Sequence, residues 1–335
     1  MRPPILLEKN PRSHQGLDVG HIPHGLPNEA VEKPTREANA SPAFLFPNQA
    51  NLQSRDDVTT LSMRRGGFSR RSFLVGTGAL AGGVLVDAVA VEPNWLEQTR
   101  HDVPVENLPR GLEGFTVIQI TDAHLKGLGW VEESIVGTLQ KENVQLVVLT
   151  GDIVDSVASL SVLREFCAAL RKTGTTVIAA LGNWEHWGRI PLPTLASAYN
   201  ACGIKLLVNE ATMHPDGIRI FATDDSTGGN PKIRDLGDSK DPPTIFVTHS
   251  PAFLDRKIFD EHMFAFALSG HTHGGQVRLG PRAIPFRPAG CGRFVSGWYD
   301  TPGGRAYVSR GTGTSILPVR FTCRPELPIF RLRQA

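Results

Sequence analysis

The feature that most constrains this chain is an ordered series of oxygen and imidazole side chains, each placed where an apolar, strand-like run ends. Asp122 and His124 close ITDAH, Asp152 follows Thr150-Gly151, Asn183 lies in LGNWEH, His249 ends VTH, and His271 and His273 flank Thr272 in SGHTHGG. Ligand sites in open α/β sheets lie beyond the carboxyl ends of the strands, so successive strand ends carrying such groups point to one rim. An isolated Asp after a strand is usually a turn or helix cap, and an isolated His usually packs or faces solvent. The ordered series is hard to explain that way, and two His between glycines serve no packing purpose. Oxygen and nitrogen donors without thiolates suit a pair of hard-to-borderline divalent ions that activate water.

Extended geometry sharpens the expectation. Residues i and i+2 of a strand point the same way, so Asp122 with His124, and His271 with His273, should each aim two ligands at one side of the sheet.

The rest of the chain fits that scaffold. Phe115 to Thr121, Val144 to Thr150 and Thr176 to Leu181 read as apolar strands, of the kind found in a sheet covered on both faces. Helical stretches at Val131 to Lys141, Ala158 to Lys172 and Pro193 to Ala201 alternate with them. Beyond Lys205 the pattern turns strand-rich: Lys205 to Asn209, Ile218 to Thr223, Thr244 to Thr248, Met263 to Ser269, Gly275 to Leu279, Arg305 to Ser309 and Leu327 to Leu332. Two packed sheets with helices outside, in four layers, follow from that order. The Pro- and Gly-rich stretch from Gly280 to Gly304 reads as a loop over the site face.

Composition supports a globular protein: of 335 residues, 40% are hydrophobic and 20% charged. A net charge of +2 offers no basic surface, so no nucleic-acid partner is expected. Cys167, Cys202, Cys291 and Cys323 show no CxxC spacing and read as buried thiols, with Cys291 and Cys323 a candidate disulfide if the chain is exported.

The first ninety residues read differently. Residues 1–62 lack helical or strand periodicity and are expected to be a disordered extension, since they bury too little apolar surface to offset ordering entropy. Arg70-Arg71 followed by Ser72-Phe73-Leu74 resembles a Tat export signal, with an apolar run to Val91 and Ala88-Val89-Ala90 as a small-residue cleavage site. Residues 63–91 are therefore assigned as signal peptide or anchor, and Met63 as the expected true start. The Tat translocase is the implied partner, the destination is the periplasm or cell envelope, and membrane association follows if the signal is retained. The domain carrying the ligand series is placed at 103–335.

The series DAH, GD, GN, TH and GHTH resembles the calcineurin-like metallophosphoesterases, and the ending Gly311 to Phe330 is similar to an exported bacterial branch of that family. The resemblance implies a four-layer αββα sandwich with two mixed β-sheets and a dinuclear metal centre; Mn, Fe, Zn and Co all accept such mixed carboxylate and imidazole ligands. It implies one metal held by Asp122, His124 and His273, with Asp152 bridging to a second held also by Asn183, His249 and His271. A hydroxide between the metals would attack a phosphomonoester or phosphodiester. The substrate is expected to be a phosphorylated small molecule or a lipid, such as an envelope lipid or sugar-nucleotide lipid. A nucleotide phosphodiesterase or nuclease, and a non-catalytic scaffold on the same fold, are the alternatives.

One position departs from the family pattern. Where many members carry His after the Asn, this chain has Trp184. His186 is the expected substitute as general acid, reaching the site through a shifted loop. Trp184 and Trp187 are expected to line the substrate pocket.

Overall fold

The structure, a computed structural model, describes residues 69–233, 242–259, 264–280 and 287–335. The expected extension at 1–62, the start at Met63 and part of the Gly280 to Gly304 stretch lie outside the described residues.

Helix α1, Arg70–Val86, begins at Ser69, whose hydroxyl accepts the Ser72 amide at 3.0 Å. None of its side chains is buried. With the helical turns that follow, Arg70–Asn94 is long and apolar enough to cross a membrane, with mean hydropathy 1.9. Four glycines weaken such a helix in water. In a bilayer the backbone has no competing partner, so the same glycines are tolerated.

The first sheet is assembled from β1 (Glu97–Val105), β2 (Thr116–Ile120), β3 (Leu146–Thr150), β4 (Thr176–Ala180) and β5 (Lys205–Leu207), joined by the C-terminal strand. Between them lie α2 (Trp130–Lys141), α3 (Leu160–Arg171), the short α4 (Asn183–Trp187) and α5 (Leu192–Asn200). The second sheet uses β6 (Glu210–Met213), β7 (Arg219–Ala222), β8 (Thr244–Val247), β9 (Phe266–Ser269), β10 (Gly297–Thr301) and β11 (Gly304–Val308). Strand β12, Glu326–Gln334, returns to the first sheet.

Strand order is β1-β12-β2-β3-β4-β5 in one sheet and β10-β11-β9-β8-β7-β6 in the other. Both are mixed. Strands β2 to β5 are parallel, while β12 runs antiparallel to β2. In the second sheet β7, β8, β9 and β11 are parallel, and β6 and β10 are antiparallel edges.

Period-2 alternation divides the core. Ile118, Ile120, Val147 and Leu149 face the helices, packing with Ile135, Leu163, Phe166 and Tyr199. Val117, Leu146 and Val148 face the second sheet and meet Ile220, Ile245, Val247 and Leu268 between the layers. The outer face of the second sheet is covered by Phe253, Leu254, Phe259 and Phe294, which pack on Phe221 and Phe246. Each such side chain contributes roughly 1.5–3 kcal/mol on burial. The result is the four-layer α/β sandwich, with its last layer made thin: short 3-10 turns at Pro251–Asp255 and Lys257–Phe259 stand where the first sheet has full helices.

Three local expectations differ from the structure. The domain does not wait for Val103: β1 starts at Glu97 and pairs with β12 along its whole length, from Glu97 opposite Glu326 to Val105 opposite Gln334. Its alternating polar residues face solvent, which hid the strand. Gly275 to Leu279 is not a strand, since His273–Gly275 forms a 3-10 turn and only Val277 bridges to Phe321. Gly280 to Gly304 is not wholly loop, because β10 forms within it and pairs with β11.

Candidate metal centre

Backbone bonds tie the loop after β2 to that after β3, and the loop after β8 to that after β9. The Asp122 amide donates to Gly151 O at 3.1 Å, the His124 amide to Asp152 O at 3.0 Å, and the Gly270 amide to His249 O at 3.1 Å. The ties need close approach. A Cβ on Gly182 would lie 2.2 Å from Asp152 Oδ1, and one on Gly270 would lie 2.4 Å from Asp122 Oδ2.

The rim is also strained. Asp122, His124, Asp152, His271 and His273 all hold positive φ, between 45° and 70°. Non-glycine residues reach that region at a cost and are retained there when surrounding contacts over-determine them. This overturns the argument from extended geometry: neither DAH nor HTH is a continuing strand. Asp122 and His124 do fall together, but His271 and His273 separate. Asp122, His124 and His273 form one buried group, and Asp152, His249 and His271 a second, with ligand atoms within 4.8 Å of one another in each.

For three of the four histidines, a partner on the far side of the ring fixes which nitrogen is free. His124 Nδ1 lies 2.5 Å from Asp155 Oδ1, which leaves Nε2 facing His273 Nε2 at 3.1 Å. His249 Nδ1 donates to Thr150 O at 2.8 Å and leaves Nε2. His271 Nε2 donates to Ala289 O at 2.6 Å and leaves Nδ1. Such outer partners orient metal-binding imidazoles and fix their tautomers.

The donor set fits divalent cations. Asp122 and Asp152 are buried, and among the described residues neither forms an ion pair with Lys or Arg. Asn183 Oδ1 and Nδ2, His249 Nε2 and His273 Nδ1 are buried without hydrogen-bond partners, although Asp152 Oδ2 lies 3.0 Å from His249 Nε2. Buried polar groups are normally satisfied, so a cluster of orphans around two buried carboxylates calls for positive charge. Without it the histidines share that role. Burial works against the His249 imidazolium, yet the carboxylates of Asp152 and Asp122 outweigh it and raise its pKa well above the ordinary value. Burial and the neighbouring His124 push His273 well below.

Trp184 and Trp187 line a cavity of about 670 Å³ together with Asp152, Asn183, His271 and His273. Trp184 also meets His124 edge to face, with ring centroids 5.9 Å apart. His186 is placed elsewhere. The chain turns into α4 directly at Asn183, so no shifted loop carries His186 into the place of Trp184. Its Nε2 instead lies 2.6 Å from Asp224 Oδ1, and it does not line the cavity. The Cys291 and Cys323 thiols are free. Cys323 Sγ lies 3.3 Å from His273 O, so that thiol braces the His273 turn where a disulfide was considered.

Glu185 is the residue sequence reasoning passed over. Its buried carboxylate accepts the amides of Gly182 at 2.9 Å, Asp152 at 3.0 Å and Ile153 at 2.8 Å, locking two ligand loops together. Burial, and then the charge of Asp152, push its pKa up to about 7. The signal was present: Gly182 to Glu185 has the N-cap to N3 spacing of a capping box. Asp155, three residues past Asp152, is the second omission.

Sequence comparisons with known proteins identify the family. Residues 115–275 match the family model of the calcineurin-like phosphoesterases. The chain is 33% identical over 288 residues to the uncharacterized metallophosphoesterase YkuE of Bacillus subtilis, covering 79% of this chain and 98% of that one. It is 27% identical over 255 residues to the phosphodiesterase YaeI of Escherichia coli, covering 72% and 90%. Among solved structures, a dimetal phosphatase from Danio rerio is 14% identical with a TM-score of 0.43, covering 62% of this chain and 90% of that one. The chain belongs to the calcineurin-like metallophosphoesterase family, whose members are metal-dependent phosphoric ester hydrolases.

Proposed function

We propose that this protein is an exported hydrolase acting on a phosphomonoester or phosphodiester that carries an apolar group, with an envelope lipid or sugar-nucleotide lipid as the substrate class. The observation carrying this reading is the composition of the cavity at the metal site. Asp152, Asn183, His271 and His273 share it with Trp184, Trp187, Val277, Ile316 and Leu317. A charged phosphoryl group and an apolar chain would each find matching surface there.

Asp122, His124 and His273 would hold one divalent ion, and Asn183, His249 and His271 a second, with Asp152 shared between them. Mn, Fe, Zn and Co all suit such ligands. Bound there, two cations supply Lewis acidity toward phosphoryl oxygens and lower the pKa of water. The chain's own contribution is positioning. Asp155 orients the His124 ring, Glu185 sets the Asp152 and Asn183 loops, and the Trp184 amide holds Asp152 Oδ1 at 2.8 Å. The apolar walls exclude water from the reacting ester and strengthen each electrostatic contact.

Arg70 and Arg71 at the start of the apolar helix support export by the Tat translocase to the cell envelope. The test is a screen of the purified full chain against phosphorylated lipids, nucleotides and bis-p-nitrophenyl phosphate with each metal, using Asp152→Ala as control. Preference for phosphorylated lipids supports the reading. Full activity in Asp152→Ala would remove it.

A further inference from the structure

The apolar helix does not simply precede the domain; its foot is built into it. Ala88 is buried and its carbonyl accepts the Arg320 amide at 2.9 Å. Glu92, also buried, accepts the amides of Thr322, at 2.8 Å, and Cys323. Just beyond, Trp95 is exposed, with the Arg324 guanidinium 3.8 Å from its ring centroid. A Trp beside a cation at the end of an apolar helix suits the membrane–water interface.

The same strip of chain carries the cavity mouth. Ile316 is four positions before Arg320, so at most about 14 Å of chain separates it from the residue that bonds the helix foot. Ile316 is 76% exposed and Leu317 63% exposed. Ile316 also holds φ of 63°, an outlying conformation for a β-branched residue. That turn is held in place: the Gln276 side chain donates to Leu317 O at 2.8 Å and accepts the Ser315 amide at 3.0 Å. Residues 276 and 278 are in turn bonded through their backbones to Phe321, beside Arg320. A strained, braced turn that presents two large apolar side chains to water, next to the foot of a membrane-length helix, is explained by a lipid surface.

We propose that the Ile316–Leu317 turn is a bilayer-contacting surface, held against the membrane by the retained helix Arg70–Asn94, so that a substrate keeps its apolar part in the lipid while its phosphoester enters the metal site. This rests on the phosphoesterase reading above for the substrate, but the contact itself does not. Retention follows from the structure of the expected cleavage site: Ala88 is buried in a helical turn and bonded to the domain, whereas a peptidase needs extended, accessible chain.

The test uses the full chain reconstituted into phosphatidylethanolamine–phosphatidylglycerol vesicles, in a Cys202→Ser background. A fluorophore is placed at Ile316→Cys or, for comparison, at exposed Met213→Cys on β6, the strand at the opposite edge of the second sheet from β10. Spin-labelled lipid should quench the label at position 316 several-fold more than at 213, in protein that floats with vesicles after carbonate washing. Equal quenching at the two positions, failure to float, or release of a fragment ending at Ala90 by leader peptidase would each overturn the proposal. Hydrolysis of bis-p-nitrophenyl phosphate by the same preparation reports on the metal site separately, so loss of one reading leaves the other standing.

Discussion

The metal rim and the cavity mouth both rest on strained backbone, but they are held in opposite surroundings. At Asp122, His124, Asp152, His271 and His273 the residues with positive φ are buried, and hydrogen bonds reach them from several loops. At Ile316 the strained residue faces outward, and the brace is a single side chain, Gln276. The difference assigns different work to the two regions. A buried rim with unpartnered nitrogens and carboxylates sets what reaction is possible. An exposed apolar turn has no charge to offer and acts on which molecules reach the rim. Perturbing the rim should therefore abolish turnover for every substrate, and perturbing the mouth should change the ranking among substrates.

The largest effect is expected from Asp152→Ala. Removing a carboxylate placed beside both groups of ligands should lower kcat by about 10³-fold or more, equivalent to about 4 kcal/mol of barrier. Steady-state rates on a soluble diester and on a phosphorylated lipid should fall together. A loss confined to one substrate would erase the distinction between rim and mouth.

Glu185→Ala should follow. It leaves the amides of Gly182, Asp152 and Ile153 without their acceptor, which costs roughly 1–3 kcal/mol for each buried group left unpaired. Metal affinity should fall about 10–100-fold, as for other residues that orient ligands. Thermal melting and metal titration read these two effects independently, and a variant that melts normally and binds metal normally would remove Glu185 from the rim.

Trp187→Ala sharpens the other side of the comparison. Its half-exposed ring lies 5.6 Å from Trp184 at the cavity wall. KM for a long-chain phosphoester should rise about tenfold more than KM for a small diester, the scale of losing one apolar contact surface. Equal changes would place Trp187 with the rim.

The smallest effect is expected at His186. Held by Asp224, it should act on stability, so His186→Ala should slow good and poor leaving groups by the same small factor. Its hydrogen bond to Asp224 raises the His186 pKa. Burial works most strongly against the Asp224 carboxylate, but the hydrogen bond and charge of His186, together with the amides of Asn230 and Asp225, outweigh it and lower that pKa. The contribution from His186 is complete below its unfolded pKa and fades as pH rises through the raised folded value. That from Asp224 is complete above its unfolded pKa and fades as pH falls through the lowered one. The destabilisation caused by His186→Ala should therefore be greatest between about pH 4 and about 6.5, and denaturant melts across pH will show it. A selective loss on poor leaving groups would restore His186 as an acid.

The rim was legible in the sequence because its ligands sit at the ends of strands whose apolar runs are unmistakable, as in Val147 to Thr150 before Asp152. Grouping them was less legible, since His271 and His273 depend on backbone angles that alternation does not encode. Strand β1 was missed because its outward residues are polar, and β10 because Gly and Pro around it mimic a loop. Glu185 carried a visible capping signal, but its hold on Asp152 depends on a contact between separate loops. The Ile316 turn was invisible for a similar reason: an apolar pair between Ser315 and Pro318 gives no sign that it faces outward.

The central claim is that the two buried groups hold a pair of divalent ions. Elemental analysis of the full chain, purified without chelator and loaded with each candidate metal, measures that directly. The account predicts about two ions per chain, falling to one or fewer in Asp152→Ala, with hydrolysis lost on chelation and regained on reloading. A chain that retains no stoichiometric metal, or that hydrolyses phosphoesters undiminished after chelation, would contradict it.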